Sequence, residues 1–157
     1  MPKTIEGFHQ APAAKYGIVV SRFNDFITKN LLKGCLQELA RCQVKDKDIV
    51  VVFVPGSLEI PVAALALAKK KNIAAVICLG AVIRGETLHF ELVAQNAARG
   101  IMEVSILTGK PVIFGVLSTD TVDQAYRRSG VKGGNKGVEA GRAAVEMASC
   151  LKKLRDA

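Results

Sequence analysis

The chain has 157 residues, half of them apolar and 23% charged, with 22 basic against 14 acidic side chains. That length suits one domain spanning 1–157, and the composition excludes intrinsic disorder and collagen-like repeats. The longest apolar run, residues 73–83, falls well short of the ~20 residues of a membrane helix, and no apolar signal core precedes Pro12, so a cytoplasmic protein is expected.

Residues 1–15 read as an N-terminal segment, extended if ordered. Four short apolar runs follow at 17–20, 49–54, 74–83 and 111–117. Because they lack apolar–polar alternation, they predict strands covered on both faces, the habit of a parallel sheet. Between the first and second runs, Ile27, Leu31 and Cys35 with Leu32, Leu36 and Leu39 recur at helical spacing after Asn24, a candidate cap. Residues 57–71 predict a second helix. Phe90, Val93, Ala97, Ile101, Val104 and Leu107 predict a third, opened by Gly85-Glu86-Thr87 and closed by Gly109. After the fourth run, Asp120 opens a short helix to about Ser129. A glycine-rich loop follows at 130–137, and 138–154 reads as a final helix. Alternating strand and helix predict an α/β three-layer sandwich around a four-stranded parallel sheet.

Ligands of open parallel sheets sit beyond the carboxyl ends of the strands. The polar residues there are Ser21-Arg22-Phe23-Asn24, then Gly56-Ser57-Leu58-Glu59, then Arg84-Gly85-Glu86-Thr87-Leu88-His89, and Ser118-Thr119-Asp120. Ser57 and Glu59 suit either helix capping or a clamp for hydroxyl groups. Gly85-Glu86-Thr87 offers backbone N–H groups to an anion such as phosphate. His89, one of two histidines, is either a polar helix residue or the proton-transfer group of this edge. Arg128 and Lys136 flank the glycine-rich loop, which would let a cation fold over a ligand or a neighbouring chain. No dinucleotide or P-loop motif, paired acids or serine elbow occurs. The four cysteines lack metal-site spacing and read as reduced, small hydrophobes, so no metal site is expected.

These residues resemble the lumazine synthase family. The likeness runs from about Gly17 to Leu154 and rests on the three blocks after the first three strands, on Gly80-Ala81-Val82-Ile83 leading into Arg84, on Pro111-Val112-Ile113-Phe114-Gly115, and on Gly133-Gly134-Asn135-Lys136-Gly137. The resemblance implies a flavodoxin-like fold and condensation of 5-amino-6-(D-ribitylamino)uracil with 3,4-dihydroxy-2-butanone 4-phosphate. The product would be 6,7-dimethyl-8-ribityllumazine, formed with release of phosphate and water in the penultimate step of riboflavin biosynthesis, without cofactor.

By the same resemblance, Phe23 would stack on the pyrimidine, and Ser57, Leu58 and Glu59 would hold the ribityl chain. Backbone groups of Ala81, Val82 and Ile83 would meet the pyrimidine, and Phe114 of an adjacent subunit would line the ring pocket. Glu86 and Thr87 by their backbone, with Arg128 and Lys136, would hold the phosphate, and His89 would transfer protons. Leu58 stands where many members carry an aromatic ring. The family implies a homo-oligomer, a pentamer or a 60-subunit shell, with riboflavin synthase as a candidate partner.

Three other readings compete: a non-enzymatic binding module on the same sheet edge, a shell protein with a decayed site, and nucleic-acid binding. The last draws on residues 127–157, which hold eight basic and three acidic groups. No interleaved aromatics accompany that charge, so no nucleic-acid partner is expected.

Overall fold

The computed structural model describes residues 1–131 and 133–157; Lys132, part of the basic C-terminal fifth, lies outside the described residues. Strands β1 (Lys15–Ser21), β2 (Ile49–Val54), β3 (Ile73–Ile83) and β4 (Val112–Thr119) form one parallel sheet in the order β2-β1-β3-β4. The helices are α1 (Asp25–Arg41), α2 (Ile60–Ala68), α3 (His89–Thr108), α4 (Val122–Arg128) and α5 (Lys136–Asp156). The result is the three-layer α/β sandwich expected from the alternation of elements, in the flavodoxin-like arrangement that the family resemblance implies.

The unbroken apolar runs are explained by the two cores. Along β1, Ile18 and Val20 face one side and Val19 the other, as the two-residue period of a strand requires. Ile18 and Val20, with Ile77 and Leu79 of β3, pack on Ile27 and Leu31 of α1 and Val145 of α5. Val19, Val76 and Cys78 pack on Ile60 and Leu67 of α2 and Ile101 of α3. With α1 and α5 on one face and α2 and α3 on the other, neither face of the central strands can carry polar side chains. Each fully buried Leu, Ile or Val contributes about 1.5–3 kcal/mol.

Several element boundaries move for local reasons. The segment expected as one helix over 57–71 is a 3-10 turn at Ser57–Glu59 followed by α2. Pro61, which has no N–H to donate, suits the first turn of a helix and fixes the start there. The third helix begins at His89, so Gly85, Glu86 and Thr87 precede it rather than open it. Glycine and threonine are poor helix formers, and the loop is held instead by the side chain of Arg84. Thr121, not Asp120, caps α4: its hydroxyl accepts from the N–H of Gln124 at 3.1 Å, and Gln124 Oε1 accepts from the N–H of Asp120 at 2.8 Å. The last helix starts two residues early, at Lys136, because Asn135 Oδ1 accepts from the N–H groups of Gly137 and Val138. Residues 1–14 form no helix or strand; they run along α5, where the N–H of Phe8 donates to Ser149 Oγ at 2.7 Å.

Candidate active site at the carboxyl edge of the sheet

From β1 the chain crosses to β2, whereas from β3 it crosses to β4 on the far side. The crossovers therefore diverge between β1 and β3, and a crevice opens beyond the ends of these two strands. A cleft of about 530 Å³ lies there. Its walls bring together Phe23 after β1, the turn from Pro55 to Glu59 after β2, and Ala81, Val82 and Ile83 at the end of β3. Gly85, Thr87, His89, Phe90 and Val93 complete it.

The end of β3 has a special backbone. Its last residue paired with β1 is Leu79, opposite Val20, but it remains paired with β4 as far as Ile83. The edge facing β1 over residues 80–83 is thus outside the ladder, and its N–H and C=O groups are available to a planar ligand. One of them is used: Asn24 Nδ2 donates to the carbonyl of Ala81 at 2.8 Å. Asn24 occupies the cap position of α1 with φ 60° and ψ 45° and makes no side-chain cap hydrogen bond. Its side chain crosses the sheet instead, fastening the chain after β1 to the end of β3. Asparagine tolerates this left-handed conformation better than most residues.

The Gly56–Glu59 turn is capped from within. The Gly56 N–H donates to Glu59 Oε2 at 2.9 Å, a capping interaction, while the carboxylate remains exposed at the cleft. Ser57 is buried at the floor. A side chain on Gly80 would come within 3.0 Å of the Ser57 and Ser21 hydroxyls, so glycine leaves the space into which both project. The Ser21 hydroxyl is buried and unpartnered among the described residues.

On the other wall, Arg84 organises the loop before α3. Its Nε donates to Asp120 at 2.7 Å, its Nη1 to Glu91 at 3.4 Å, and the guanidinium lies 4.6 Å from the Phe90 ring centre. These bonds, to Asp120 foremost, hold the guanidinium pKa above its ordinary value. The clamp fixes where His89 emerges. The backbone N–H of His89 donates to Thr87 Oγ1 at 3.3 Å, and its exposed imidazole has no partner among the described residues.

Four of the expected site residues stand outside this cleft. Glu86 is exposed on the loop beside it. Arg128 ends α4, with Nη1 donating to the Gln124 carbonyl at 3.1 Å, and Lys136 pairs with Glu139 at 2.7 Å. The bridge between Ser129 and Asn135 sets the backbones of Arg128 and Lys136 side by side at the base of the glycine-rich loop. Phe114 lies in mid-strand on β4, an edge strand, and is 47% exposed. It is three positions before Leu117, the register partner of Ala81, so it serves a different stretch of surface from the cleft of its own chain.

Sequence reasoning assigned Phe90 and Val93 only to the buried stripe of α3, yet both also wall the cleft. Val93, four residues after His89, lies along the same helix face, a signal that was present; Phe90, adjacent to His89, carries no such signal. The Arg84–Asp120 pair spans 36 positions and has no local signal. Among the described residues, no group of three or more His, Cys, Asp or Glu is placed to hold a metal ion, and no helix is long and apolar enough to cross a membrane.

A largely apolar cleft with a few convergent polar groups, at the point where the crossovers of a parallel sheet diverge, places the protein among flavodoxin-like α/β enzymes of small-molecule chemistry. The model of the 6,7-dimethyl-8-ribityllumazine synthase family matches residues 13–152, and the chain belongs to that family. It is accordingly a transferase of riboflavin biosynthesis.

Proposed function

We propose that the protein condenses 5-amino-6-(D-ribitylamino)uracil with 3,4-dihydroxy-2-butanone 4-phosphate, releasing phosphate and water and forming 6,7-dimethyl-8-ribityllumazine. The observation that carries this reading is the unladdered backbone edge of β3 over residues 80–83, facing the exposed imidazole of His89 across one cleft. A pyrimidine with alternating donors and acceptors suits such an edge. Phe23, 72% exposed at the rim, is free to cover the ring, while Ser57 and Glu59 offer a hydroxyl and a carboxylate to the ribityl chain, with Leu58 giving apolar contact beside them.

The amine of the pyrimidine attacks the ketone to give a Schiff base, with loss of water. Elimination of phosphate leaves an enol that becomes a ketone, on which the ribitylamine nitrogen closes the ring with loss of a second water; His89 relays the protons of these steps, help worth roughly 10²–10⁴-fold. The backbone at Glu86 and Thr87, with Arg128 and Lys136, receives the phosphate and stabilises its charge as it leaves. No cofactor takes part in this scheme.

The site works between copies of the chain, in a pentamer whose closure into a 60-subunit shell is the larger assembly proposed. Supporting this are Phe114 on the open edge strand and the exposed Leu92, Met102 and Ile106 of α3, apolar surface that a neighbour would cover. Phe114 then lines the ring pocket of the adjacent copy. The chain acts as a single domain in the cytoplasm, and riboflavin synthase is the partner that would consume the product.

Mixing the purified protein with both substrates and following product fluorescence tests the reaction. Product formation that needs both substrates and releases one phosphate per turnover is expected; no product from a folded, assembled sample overturns it.

A further inference from the structure

At the opposite end of the sheet, beneath the strands' amino ends, lies a second cavity of about 600 Å³. Lys15 begins β1, and Lys47, Lys71 and Lys110 each stand two residues before β2, β3 and β4. All four line the cavity. Lys45 joins them from the same loop as Lys47, and Lys152 and Arg155 come from the last turns of α5. Against these seven cations the lining holds one carboxylate, Asp48.

The bland explanation is that cations complement the carboxyl ends of helices, several of which finish here. It accounts for Lys110, whose Nζ donates to the Lys70 carbonyl just beyond α2. Among the described residues, the other six donate no side-chain hydrogen bond, and none of the seven lies in an ion pair. By contrast, Arg127 and Arg142 of the same basic C-terminal fifth are neutralised by Asp123 and Glu38. The lysine at the head of each strand therefore adds to an uncompensated field inside a concavity. Burial above all, and then the nearby Arg155, pushes the Lys110 pKa down.

We propose that this cavity binds a short polyphosphate chain. Contiguous phosphates present several charges within a few ångströms, matching cations delivered from five separate segments, where a single phosphate would engage only two or three. No aromatic side chain lines the cavity, so nothing there stacks on a base, which favours a bare phosphate chain over a nucleotide or nucleic acid.

Calorimetric titration with inorganic tripolyphosphate, at constant ionic strength, tests this. Saturable binding of one tripolyphosphate per chain is expected. Lys71→Gln combined with Lys152→Gln, both exposed positions, should weaken it roughly tenfold through loss of two charge-assisted contacts. Arg128→Ala should leave it unchanged, which separates this cavity from the phosphate position of the proposed reaction. ATP should bind no more tightly than tripolyphosphate. The proposal is overturned if heat reflects only ionic strength, if Arg128→Ala abolishes binding, if the double variant binds as well as the parent, or if a ten-nucleotide oligomer binds more tightly than tripolyphosphate.

Discussion

Tyr16 is fully buried in the core facing α1 and α5, and its hydroxyl has no partner among the described residues. Burial above all, and then the Cys42 thiol, raises its pKa from the ordinary 10.0 to about 12. Burial alone lifts Cys35 from 9.0 to about 12. Both groups keep their protons in the folded state at pH values where the unfolded chain has lost them. Their contribution is thus complete below about pH 9 and is lost as pH rises toward 12. Urea midpoints measured across this range should fall with pH. Tyr16→Phe should flatten part of that decline and raise stability at neutral pH by about 1 kcal/mol, because it deletes an unsatisfied buried donor. The exposed site residues behave in the opposite way. His89→Ala should slow turnover about 10²-fold with little change in stability. Arg128→Ala should chiefly raise KM for the phosphorylated substrate. Steady-state kinetics checks both; unchanged turnover in the first variant would remove the proton-transfer role of His89.

Among the elements, one side chain ties the start of α5 to α1. Asn135 accepts from two N–H groups at the start of α5 and donates to the carbonyls of Asn30 and Ser129, each at 3.1 Å. Asn135→Ala should cost about 2–3 kcal/mol, a lost cap together with two further bonds, measurable by urea denaturation. It should also loosen the bridge that sets Arg128 beside Lys136, so KM for the phosphorylated substrate should rise even though Asn135 touches no ligand. At this scale the sequence was legible where a pattern is local. Valine and isoleucine runs placed the strands, and helical spacing placed the helices, because burial on both faces leaves few chemical options. It was less legible at the boundaries. Asn24 has the composition of a cap but spends its side chain on the Ala81 carbonyl, a partner 57 positions away. Gly85 and Thr87 precede α3 because a clamp from Arg84 to Asp120 holds the loop, and neither end of that clamp announces the other.

For the whole molecule, the decisive fact is that Phe114 and the cleft do not share one stretch of surface. If neighbouring copies complete the site, a mixture of His89→Ala and Phe114→Ala chains should be more active than either variant alone. Random assembly of equal amounts would leave about a quarter of the interfaces with both native residues, and activity should recover in that proportion. Reassembling the two variants together and assaying product tests this; activity equal to the average of the separate variants would place the site within one chain.

Read by itself, the sequence determined the class of fold, the helices and strands, and the blocks that mark the family. Each of these follows from burial patterns and short motifs of neighbouring residues. It also located the basic excess in the last fifth of the chain, but not what that excess does. Tertiary structure decided that Arg127 and Arg142 are neutralised within the molecule, while Lys152 and Arg155 join lysines from the head of every strand. It likewise decided which polar residues after the strands share a cleft, and that β3 outruns β1 and leaves a bare backbone edge. The reason is the same in each case: a parallel sheet gathers the ends of distant segments at its two edges. Which charges and hydrogen-bonding groups meet there depends on strand order and length, not on spacing along the chain.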